Sequence, residues 1–317
     1  MNSKSRFENL TKKLNSFCKK KKVNDISLKG QLIRPLISFE MARHFMLDEN
    51  DERFLSGALA IQMIHEASLF HDDIIDKGEI RRGKTITLNH ENIVKKLMQG
   101  DYLIAQSFFF ISQTNCPKLI KHYSKRNIDV INGEYQQNEK RGALLNLEEY
   151  SLINKLKTGS LFSSAAAVGV LLSKKAEKND YDHLFELIGE VGGLYQILDD
   201  LLDYIPNAKT GKAPLKDFQQ KKWTYILSFC KDVDWETDPN TLLAKLFSEK
   251  DNSPFALAVE NFQSEAEKMK RKLQPLIGEE NLILDLISSW QKKLDCSLKE
   301  IILPEKSNLK INLTQSY

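Results

Sequence analysis

Two aspartate clusters with the same spacing, Asp72-Asp73-x-x-Asp76 and Asp199-Asp200-x-x-Asp203, place the strongest constraint on how this chain can fold. Each lies in an otherwise apolar stretch whose pattern predicts a helix, MIHEASLFHDDIID for the first and GGLYQILDDLLDY for the second. The first and last aspartates of a cluster are four residues apart, so they share one helical face and repel each other. Neither cluster contains a lysine or arginine, so we expect external cations to neutralise both. Carboxylate-only sites favour hard ions, and Mg²⁺ in particular is bound by a few carboxylates together with substrate phosphates.

The rest of the sequence predicts one helix after another. Apolar residues recur at intervals of three and four, as in Leu55, Leu59 and Met63 or in Leu147, Tyr150 and Ile153. Polar segments separate the predicted helices: 47–52, 77–85, 112–118, 174–180 and 205–214. No segment is rich enough in proline or serine to be a linker, so we predict a single all-α domain over residues 1–317. In such a bundle the two acidic faces would meet across a cavity with a charged mouth and a hydrophobic floor, which suits an amphiphile with an anionic head.

Composition places the chain among globular proteins. Its 317 residues are 41% hydrophobic and 28% charged, and a net charge of +3 gives no indication of a nucleic-acid partner. The four cysteines are far apart and form no CxxC pair, which indicates reduced thiols and a cytoplasmic location. The N-terminus lacks the apolar core of a signal peptide, and no apolar run reaches the roughly 20 residues of a membrane-spanning helix. We expect residues 1–24 to be a poorly ordered extension and residues 303–317 a poorly ordered tail.

Basic residues flank both clusters and predict that an anion binds beside the metal. Arg81 and Arg82 follow the first cluster on a predicted loop, where paired guanidinium groups can bind phosphate oxygens bidentately. Further polar residues lie near the clusters or open an early helix: Arg34, His65, Lys157 with Thr158 beside it, Lys212 and Lys222. Taken singly, such residues are usually surface charges or structural histidines. On either side of two acidic clusters they form a coherent set of diphosphate ligands.

These motifs resemble those of the trans-isoprenyl diphosphate synthase (polyprenyl synthetase) family over roughly residues 25–295. HEASLFHDDIIDKGEIRRGKT is similar to the first aspartate-rich motif of the family with its trailing RRG. GGLYQILDDLLD is similar to the second motif, with Gln196 at the family's glutamine position. LKTGSLF resembles the KT motif, GDYLIA the GD motif and TGKAPLKDFQQKKWT the lysine-bearing segment. The resemblance implies an isoprenoid synthase-type helical bundle around a deep central cavity, assembled as a homodimer.

The resemblance also implies a reaction, in which isopentenyl diphosphate condenses with an allylic diphosphate in the presence of Mg²⁺ to lengthen an all-trans chain. All six aspartates would bind the metal: Asp72, Asp73, Asp76, Asp199, Asp200 and Asp203. The allylic diphosphate would be held by Arg81, Lys157, Lys212 and Lys222, and isopentenyl diphosphate by Arg34, His65 and Arg82. Thr158 and Gln196 would orient or stabilise the allylic cation.

The chain departs from the family pattern at one substrate position. The GGKxxRP segment of the family corresponds to KGQLIRP here, so Gln31 stands where a lysine for isopentenyl diphosphate is expected. Loss of one charge-assisted contact weakens binding by about 1.5–3 kcal/mol, unless Lys29 supplies it. Ala67 and Ser68, just before Asp72, are small where bulky residues shorten the products of the family. The predicted product is therefore longer than farnesyl diphosphate, and its release would bring the protein into peripheral contact with a membrane.

Two other functions fit parts of the sequence. A class I terpene cyclase shares the all-α fold and the first cluster, but its second metal motif differs, whereas this chain repeats DDxxD. A partner-dependent or non-catalytic subunit of a heteromeric prenyl synthase would explain Gln31. Six intact aspartates oppose a purely structural role, because clustered carboxylates are unfavourable to keep without metals.

Overall fold

The protein is described by a computed structural model that covers residues 3–23, 26, 28, 30–76, 80–81, 84–85, 90–174, 181–205, 215–248 and 252–299. At residues 3–4, 80–81, 84–85 and 299 it describes the backbone alone. Most of the covered residues are helical, which confirms the predicted all-α fold. Two short strands, Ile80–Arg81 (β1) and Lys84–Thr85 (β2), pair antiparallel in the connection that follows the first aspartate cluster.

The α-helices of the described residues, in chain order, are α1 (Ser3–Lys21), α2 (Ile33–His44), α3 (Glu52–Ile75), α4 (His90–Ser112), α5 (Pro117–Glu139), α6 (Leu147–Asn154), α7 (Ser160–Leu171), α8 (Asp182–Asp203), α9 (Lys216–Gln219), α10 (Pro239–Leu246), α11 (Pro254–Ile277) and α12 (Leu282–Lys299). A π-helical turn, Lys155–Gly159, joins α6 to α7. A 3₁₀ turn, Tyr225–Phe229, follows α9.

Several helices begin at residues that cap free backbone N–H groups. Asn146 and Glu149 form a capping box at the start of α6. Asn146 Oδ1 accepts from the Glu149 N–H at 2.9 Å, and Glu149 Oε2 accepts from the Asn146 N–H at 3.2 Å. Asp51, Asp238 and Ser253 accept from the first N–H groups of α3, α10 and α11. Asp51 therefore fixes where α3 begins. The first aspartate cluster lies at the opposite end of this 24-residue helix.

Helix α7 lies at the centre of the bundle, packed against α2, α3, α5 and α8. Residues 160–170 are buried on every side, which explains why SLFSSAAAVGV has no polar face. Its contact with α2 is close: a Cβ on Gly169 would lie 2.5 Å from Ser38 O and Ala42 N, and Ser38 Oγ donates to Ala165 O at 2.8 Å. Although α7 is apolar throughout, no described helix is long and apolar enough to span a membrane.

The N-terminal segment differs from the sequence-based expectation. Residues 3–21, expected to belong to a poorly ordered extension, form α1, which packs an apolar face into the core. That face consists of Leu10, Leu14, Phe17 and Cys18, spaced at three and four residues. The lysines at the end of the helix hide this periodicity in the sequence. The predicted tail, 303–317, lies outside the described residues.

Helices α3 and α8 both end at an aspartate cluster. Asp76 is the C-cap of α3, and Asp203 is the last residue of α8. A carboxylate at a helix C-terminus meets the negative end of the helix macrodipole, which is unfavourable. The cations beside the end of α3 therefore contribute to the stability of the fold as well as to any chemistry.

Replacing Gly169 with alanine is expected to destabilise the protein, because the new methyl group would lie 2.5 Å from the backbone of α2. Overpacking of this kind costs about 1–3 kcal/mol of unfolding free energy. Gly193→Ala in α8 is the matched control, since a Cβ there meets no described atom outside its own helix within 4 Å. That change should stabilise α8 by about 0.5–1 kcal/mol. Urea unfolding measures both effects, and an unchanged midpoint for Gly169→Ala would show that α2 and α7 separate without cost.

Candidate active site

Asp200 of the second cluster is held by three hydrogen bonds. Tyr150 Oη donates to its Oδ2 at 2.7 Å, the Tyr225 N–H donates to the same oxygen at 2.9 Å, and Gln196 Nε2 donates to Oδ1 at 2.9 Å. Burial raises the pKa of Asp200 to about 7 and the charge of Asp217 adds to the increase, although the hydrogen bonds oppose it. Asp200 is therefore a carboxyl group that is fixed in position and changes charge near neutral pH.

Asp76 of the first cluster lies between two cationic side chains. Lys222 Nζ is 2.6 Å from Asp76 Oδ2, and Arg141 Nη2 is 2.7 Å from Oδ1. Gln220 Nε2 also donates to the backbone oxygen of Asp76, at 2.6 Å. Burial raises the pKa of Asp76, but the charges of Lys222 and Lys157 and the hydrogen bond from Arg141 outweigh burial and hold the pKa below its usual value. Asp76 is therefore ionised at neutral pH.

The other two aspartates of this cluster face different neighbours. Asp73 Oδ2 is 2.6 Å from Lys96 Nζ of α4, and both side chains are largely buried. Burial raises the pKa of Asp72, and the positive charge of Lys157 partly offsets that increase. Asp73 thus belongs to the contact between α3 and α4, whereas Asp72 and Asp76 share the neighbourhood of Lys157.

The π-helical turn carries Lys157 into the site. Lys157 Nζ is 2.8 Å from Gln137 Oε1 and forms an ion pair with Glu134, and both partners lie on α5. A Cβ on Gly133 would lie 2.7 Å from the backbone nitrogen of Lys157. A side chain at position 133 would clash with the turn, so glycine there allows the turn to pack against α5.

The same turn connects the two clusters. Burial lowers the pKa of Lys157, but the charges of Asp72 and other nearby carboxylates outweigh burial and raise it, so the ammonium stays charged. Thr158 Oγ1 donates to Gln196 Oε1 at 3.0 Å, and Gln196 in turn donates to Asp200. One turn of five residues therefore supplies a positive charge to the first cluster and begins a hydrogen-bond chain to the second.

Residues 215–225 form a second connection between the clusters. Gln220 and Lys222 contact Asp76, and three residues later the N–H of Tyr225 reaches Asp200. The C-terminal ends of α3 and α8 therefore lie at one end of the bundle. This agrees with the prediction that the two acidic helix faces are neighbours.

The residues expected to bind isopentenyl diphosphate are described in part. The Arg34 guanidinium lies 5.3 Å from the centre of the Phe162 ring, and burial lowers its pKa to about 10. His65 stands two turns before the first cluster on α3, and its carbonyl oxygen accepts from Ser68 Oγ at 2.9 Å. Ser68 is half-buried and Ala67 is fully buried.

Some predicted ligands lie outside the described residues, namely Arg82, Lys212 and Lys29. Only the backbone of Arg81 is described, in β1, where it pairs with Lys84 of β2. Gln31, which replaces the expected lysine, is exposed. The diphosphate roles of these positions stay predictions.

The structure adds polar residues that no sequence pattern indicated as part of the site. They are Lys96, Arg141 and Gln220 at the first cluster, Tyr150 at the second, and Glu134 and Gln137 beside Lys157. Glu134 and Gln137 are three residues apart, a helical spacing that could have indicated a shared partner. The others reach the site from distant parts of the sequence, as Arg141 does across 65 residues to Asp76.

The donors fit a hard metal ion in their chemistry. Within the part of the chain that the structure describes, no three His, Cys, Asp or Glu side chains lie close enough to form a ready metal cluster. Side-chain cations instead accompany the carboxylates of Asp72 and Asp76. A hard cation would bind the same oxygens, so Lys222 and Arg141 stand where a metal ion would have to compete.

Comparisons with known proteins identify the family. A family model described as Polyprenyl synthetase matches residues 19–259. The chain is 33% identical over 192 residues to decaprenyl-diphosphate synthase of Dictyostelium discoideum, a match that covers 60% of this chain and 41% of that protein. It is 34% identical over 177 residues to heptaprenyl diphosphate synthase component 2 of Bacillus subtilis, covering 55% of this chain and 50% of the relative.

A solved structure shows the same fold. The polyprenyl synthase from Caulobacter crescentus CB15, complexed with calcium and isoprenyl diphosphate, superimposes with a TM-score of 0.74 at 22% identity, covering 94% of this chain and 98% of that one. The curated relatives are matched over about half of their own length, 41%, 58% and 57% for three of them. The chain belongs to the polyprenyl synthetase family, as its motifs indicated.

Asp200→Asn is expected to stabilise the metal-free protein at pH 8 relative to the native protein. The pKa of Asp200 is about 7 in the folded protein, against an ordinary value of 3.8. Between these values the folded chain keeps a proton that the unfolded chain has released, so stability falls as pH rises from about 4 to about 7 and then levels off. At pH 8 the native carboxylate therefore costs on the order of 2–4 kcal/mol, which asparagine removes.

Thermal unfolding in EDTA at pH 5 and pH 8 measures this difference. Between the two pH values the native protein should lose more stability than Asp200→Asn. Asp232→Asn controls for the loss of one negative charge at an exposed position and should follow the native protein. Parallel behaviour of the native protein and Asp200→Asn would contradict the raised pKa.

Proposed function

We propose that this protein is an Mg²⁺-dependent trans-prenyltransferase that condenses isopentenyl diphosphate with an allylic diphosphate. The observation that carries the proposal is the meeting of two aspartate clusters at one end of an apolar bundle, with Lys157 and Lys222 beside them. Carboxylates suit hard metal ions and ammonium groups bind phosphate, and a departing diphosphate requires both. Membership of the polyprenyl synthetase family supports the same assignment and does not favour a terpene cyclase.

Asp72 and Asp76 at the C-terminal end of α3, with Asp199, Asp200 and Asp203 on α8, would hold the metal in this proposal. When bound, Mg²⁺ neutralises the negative charge that develops on the departing diphosphate. Asp73 was predicted as a sixth ligand, but it pairs with Lys96 in the contact between α3 and α4. Asp72 and Asp76 instead share the neighbourhood of Lys157, and this difference supports a positioning role for Asp73. We therefore propose that Asp73 and Lys96 fix α4 against the end of α3, so that Asp72 and Asp76 keep their orientation.

The chain's own cations bind and orient the substrates in this proposal. The allylic diphosphate is held by Arg81, Lys157, Lys212 and Lys222, and isopentenyl diphosphate by Arg34, His65 and Arg82. Thr158 and Gln196 orient each other through their hydrogen bond and present oxygen lone pairs to the developing allylic cation. The proton lost after the new carbon–carbon bond forms passes to the departing diphosphate.

The product is inferred to be longer than farnesyl diphosphate. Ala67 and Ser68 are small, and the next turn of α3 towards its N-terminus presents Met63 and Ile64, which are apolar and buried. A hydrocarbon tail that passes Ala67 and Ser68 meets no aromatic ring at these two positions. The names of two relatives, decaprenyl and heptaprenyl diphosphate synthases, fit a long product.

The second candidate is a partner-dependent subunit of a heteromeric synthase. Gln31 lacks the charge expected for isopentenyl diphosphate binding, and one relative is component 2 of a heptaprenyl diphosphate synthase. In that case Arg141 and Lys222 would stay paired with Asp76 and neutralise it permanently, in place of a metal ion. The two candidates differ in whether the chain elongates a primer on its own.

A homodimer is also proposed. Helices α4 and α5 each leave an apolar strip exposed, with relative exposures of 50–66%: Met98, Tyr102 and Phe109 on α4, and Ile128, Ile131 and Tyr135 on α5. Scattered apolar residues are normal on a surface, but strips on two successive helices are typical of an interface. A second copy of the chain would cover both. Sedimentation should give twice the mass of one chain, and the mass of a single chain would contradict the dimer.

A cytoplasmic location is proposed from the cysteines. Cys18, Cys116, Cys230 and Cys296 are all free thiols, which suits a reducing compartment. A long prenyl product is apolar, so its release would involve peripheral contact with a membrane surface.

The test is a product assay on the purified protein alone. With labelled isopentenyl diphosphate, Mg²⁺ and geranyl, farnesyl or geranylgeranyl diphosphate, we expect labelled chains longer than farnesyl after dephosphorylation. Asp72→Asn should lower the turnover by about 10²-fold or more, since a carboxylate that supports the departing charge is lost. If no primer supports incorporation at saturating Mg²⁺, the partner-dependent subunit becomes the better assignment.

Ser68→Phe tests the length of the product in the same assay. The ring would fill the path beside α3, so the longest chains should disappear. Ser68→Ala is the matched control because it keeps the position small, and its products should equal those of the native protein. An unchanged distribution for Ser68→Phe would show that the tail does not pass this position.

A further inference from the structure

We propose that Arg141 is a diphosphate-binding residue that exchanges between Asp76 and the substrate. This inference rests on the proposed function, because it adds a ligand to the same site. Arg141 Nη2 lies 2.7 Å from Asp76 Oδ1, while Lys222 Nζ lies 2.6 Å from Oδ2 of the same carboxylate. A diphosphate that is held near Asp76 is therefore within reach of both cations.

Hydrogen bonds hold the turn that carries Arg141, in addition to the ion pair with Asp76. Its Nε donates to Asn138 Oδ1 at 2.9 Å, in the last turn of α5. The next residue, Gly142, donates its N–H to Lys221 O at 2.8 Å, and its own oxygen accepts from Trp235 Nε1 at 2.8 Å. The turn after α5 is thereby fastened to the segment that follows α9, so the guanidinium is held at the edge of the site.

Exposure indicates which of the two cations can move. The Lys222 side chain is 5% exposed, whereas that of Arg141 is 26% exposed and borders solvent. A guanidinium has five N–H donors, more than Asn138 and Asp76 accept from it here, and its planar fork matches phosphate oxygens. Arg141 can therefore leave Asp76 and bind a diphosphate with little movement of its backbone.

The charges around Asp76 favour the exchange. A hard metal ion that bound this carboxylate would be repelled by the positive charges of Arg141 and Lys222, which lie 2.7 and 2.6 Å from its two oxygens, and release of the more exposed Arg141 relieves that repulsion. Arg141 is then released beside the place where the substrate's diphosphate arrives. The positive charge that neutralises Asp76 in the free protein thus neutralises the diphosphate in the loaded one.

An exchange predicts opposite effects on two ligands. Arg141→Gln removes a competitor for Asp76, so Mg²⁺ alone should bind several-fold more tightly. Inorganic diphosphate at saturating Mg²⁺ should bind about tenfold more weakly, because a charge-assisted hydrogen bond is lost. A residue that only stabilised the local structure would weaken the binding of both ligands when it was replaced.

Calorimetric titration of the full chain measures both affinities, first with MgCl₂ and then with inorganic diphosphate in excess Mg²⁺. Lys140→Gln is the matched control, since Lys140 precedes Arg141 in the same turn but pairs with Glu149 at 2.7 Å. It should leave both affinities unchanged. Arg141→Lys keeps the charge without the planar fork and should retain part of the diphosphate affinity.

Two results would overturn the exchange: equal affinities for the native protein and Arg141→Gln, or a parallel loss of both affinities. In either case the native protein still binds Mg²⁺ and diphosphate, so the proposed function stands. A native protein that binds no diphosphate at saturating Mg²⁺ would instead overturn the proposed function together with the role of Arg141.

Discussion

The negative charge at the C-terminal ends of α3 and α8 is the constraint on which the rest of the site depends. Helix C-termini already carry partial negative charge, and aspartates there add repulsion to an unfavourable dipole. Side chains from other elements supply the compensating charge: Lys96 to Asp73, Lys157 to Asp72, and Lys222 with Arg141 to Asp76. The second cluster uses uncharged donors at Asp200 instead, and that carboxyl group has a raised pKa. The two clusters therefore differ electrostatically, although their sequences are alike.

Helix packing places these cations. The small residues of α7 allow close contact with α2, and Gly133 allows the π-helical turn before α7 to lie against α5. The turn then directs Lys157 to one cluster and Thr158 towards the other. The segment after α9 contacts Asp76 and Asp200 within six residues, through Gln220 and Tyr225. A change in the spacing of α5 and α7 would consequently alter the electrostatics of the site without touching an aspartate.

The sequence predicted the fold class, the family and the neighbourhood of the two acidic helices, because helical periodicity and the repeated DDxxD pattern are local features. It did not predict the packing of α1, whose short apolar face is followed directly by a run of lysines. Nor could it separate Asp73 from Asp72: neighbours on a helix point about 100° apart, and only tertiary structure shows which one faces α4. Arg141 and Tyr150 have no local signature, since each contacts its aspartate across 50 residues or more.

We propose that Asp72 and Asp76 bind metal ions together with the second cluster, and that Arg141 passes from Asp76 to the metal-bound diphosphate. Anomalous scattering from crystals grown with Mn²⁺, which takes the same oxygen ligands as Mg²⁺, and inorganic diphosphate tests it most directly. We expect Mn²⁺ peaks at Asp72 and Asp76 and at the α8 cluster, with Arg141 turned from Asp76 to the diphosphate and Asp73 still paired with Lys96. Peaks confined to other surface carboxylates, with Asp76 still bound to Arg141 and Lys222, would contradict it.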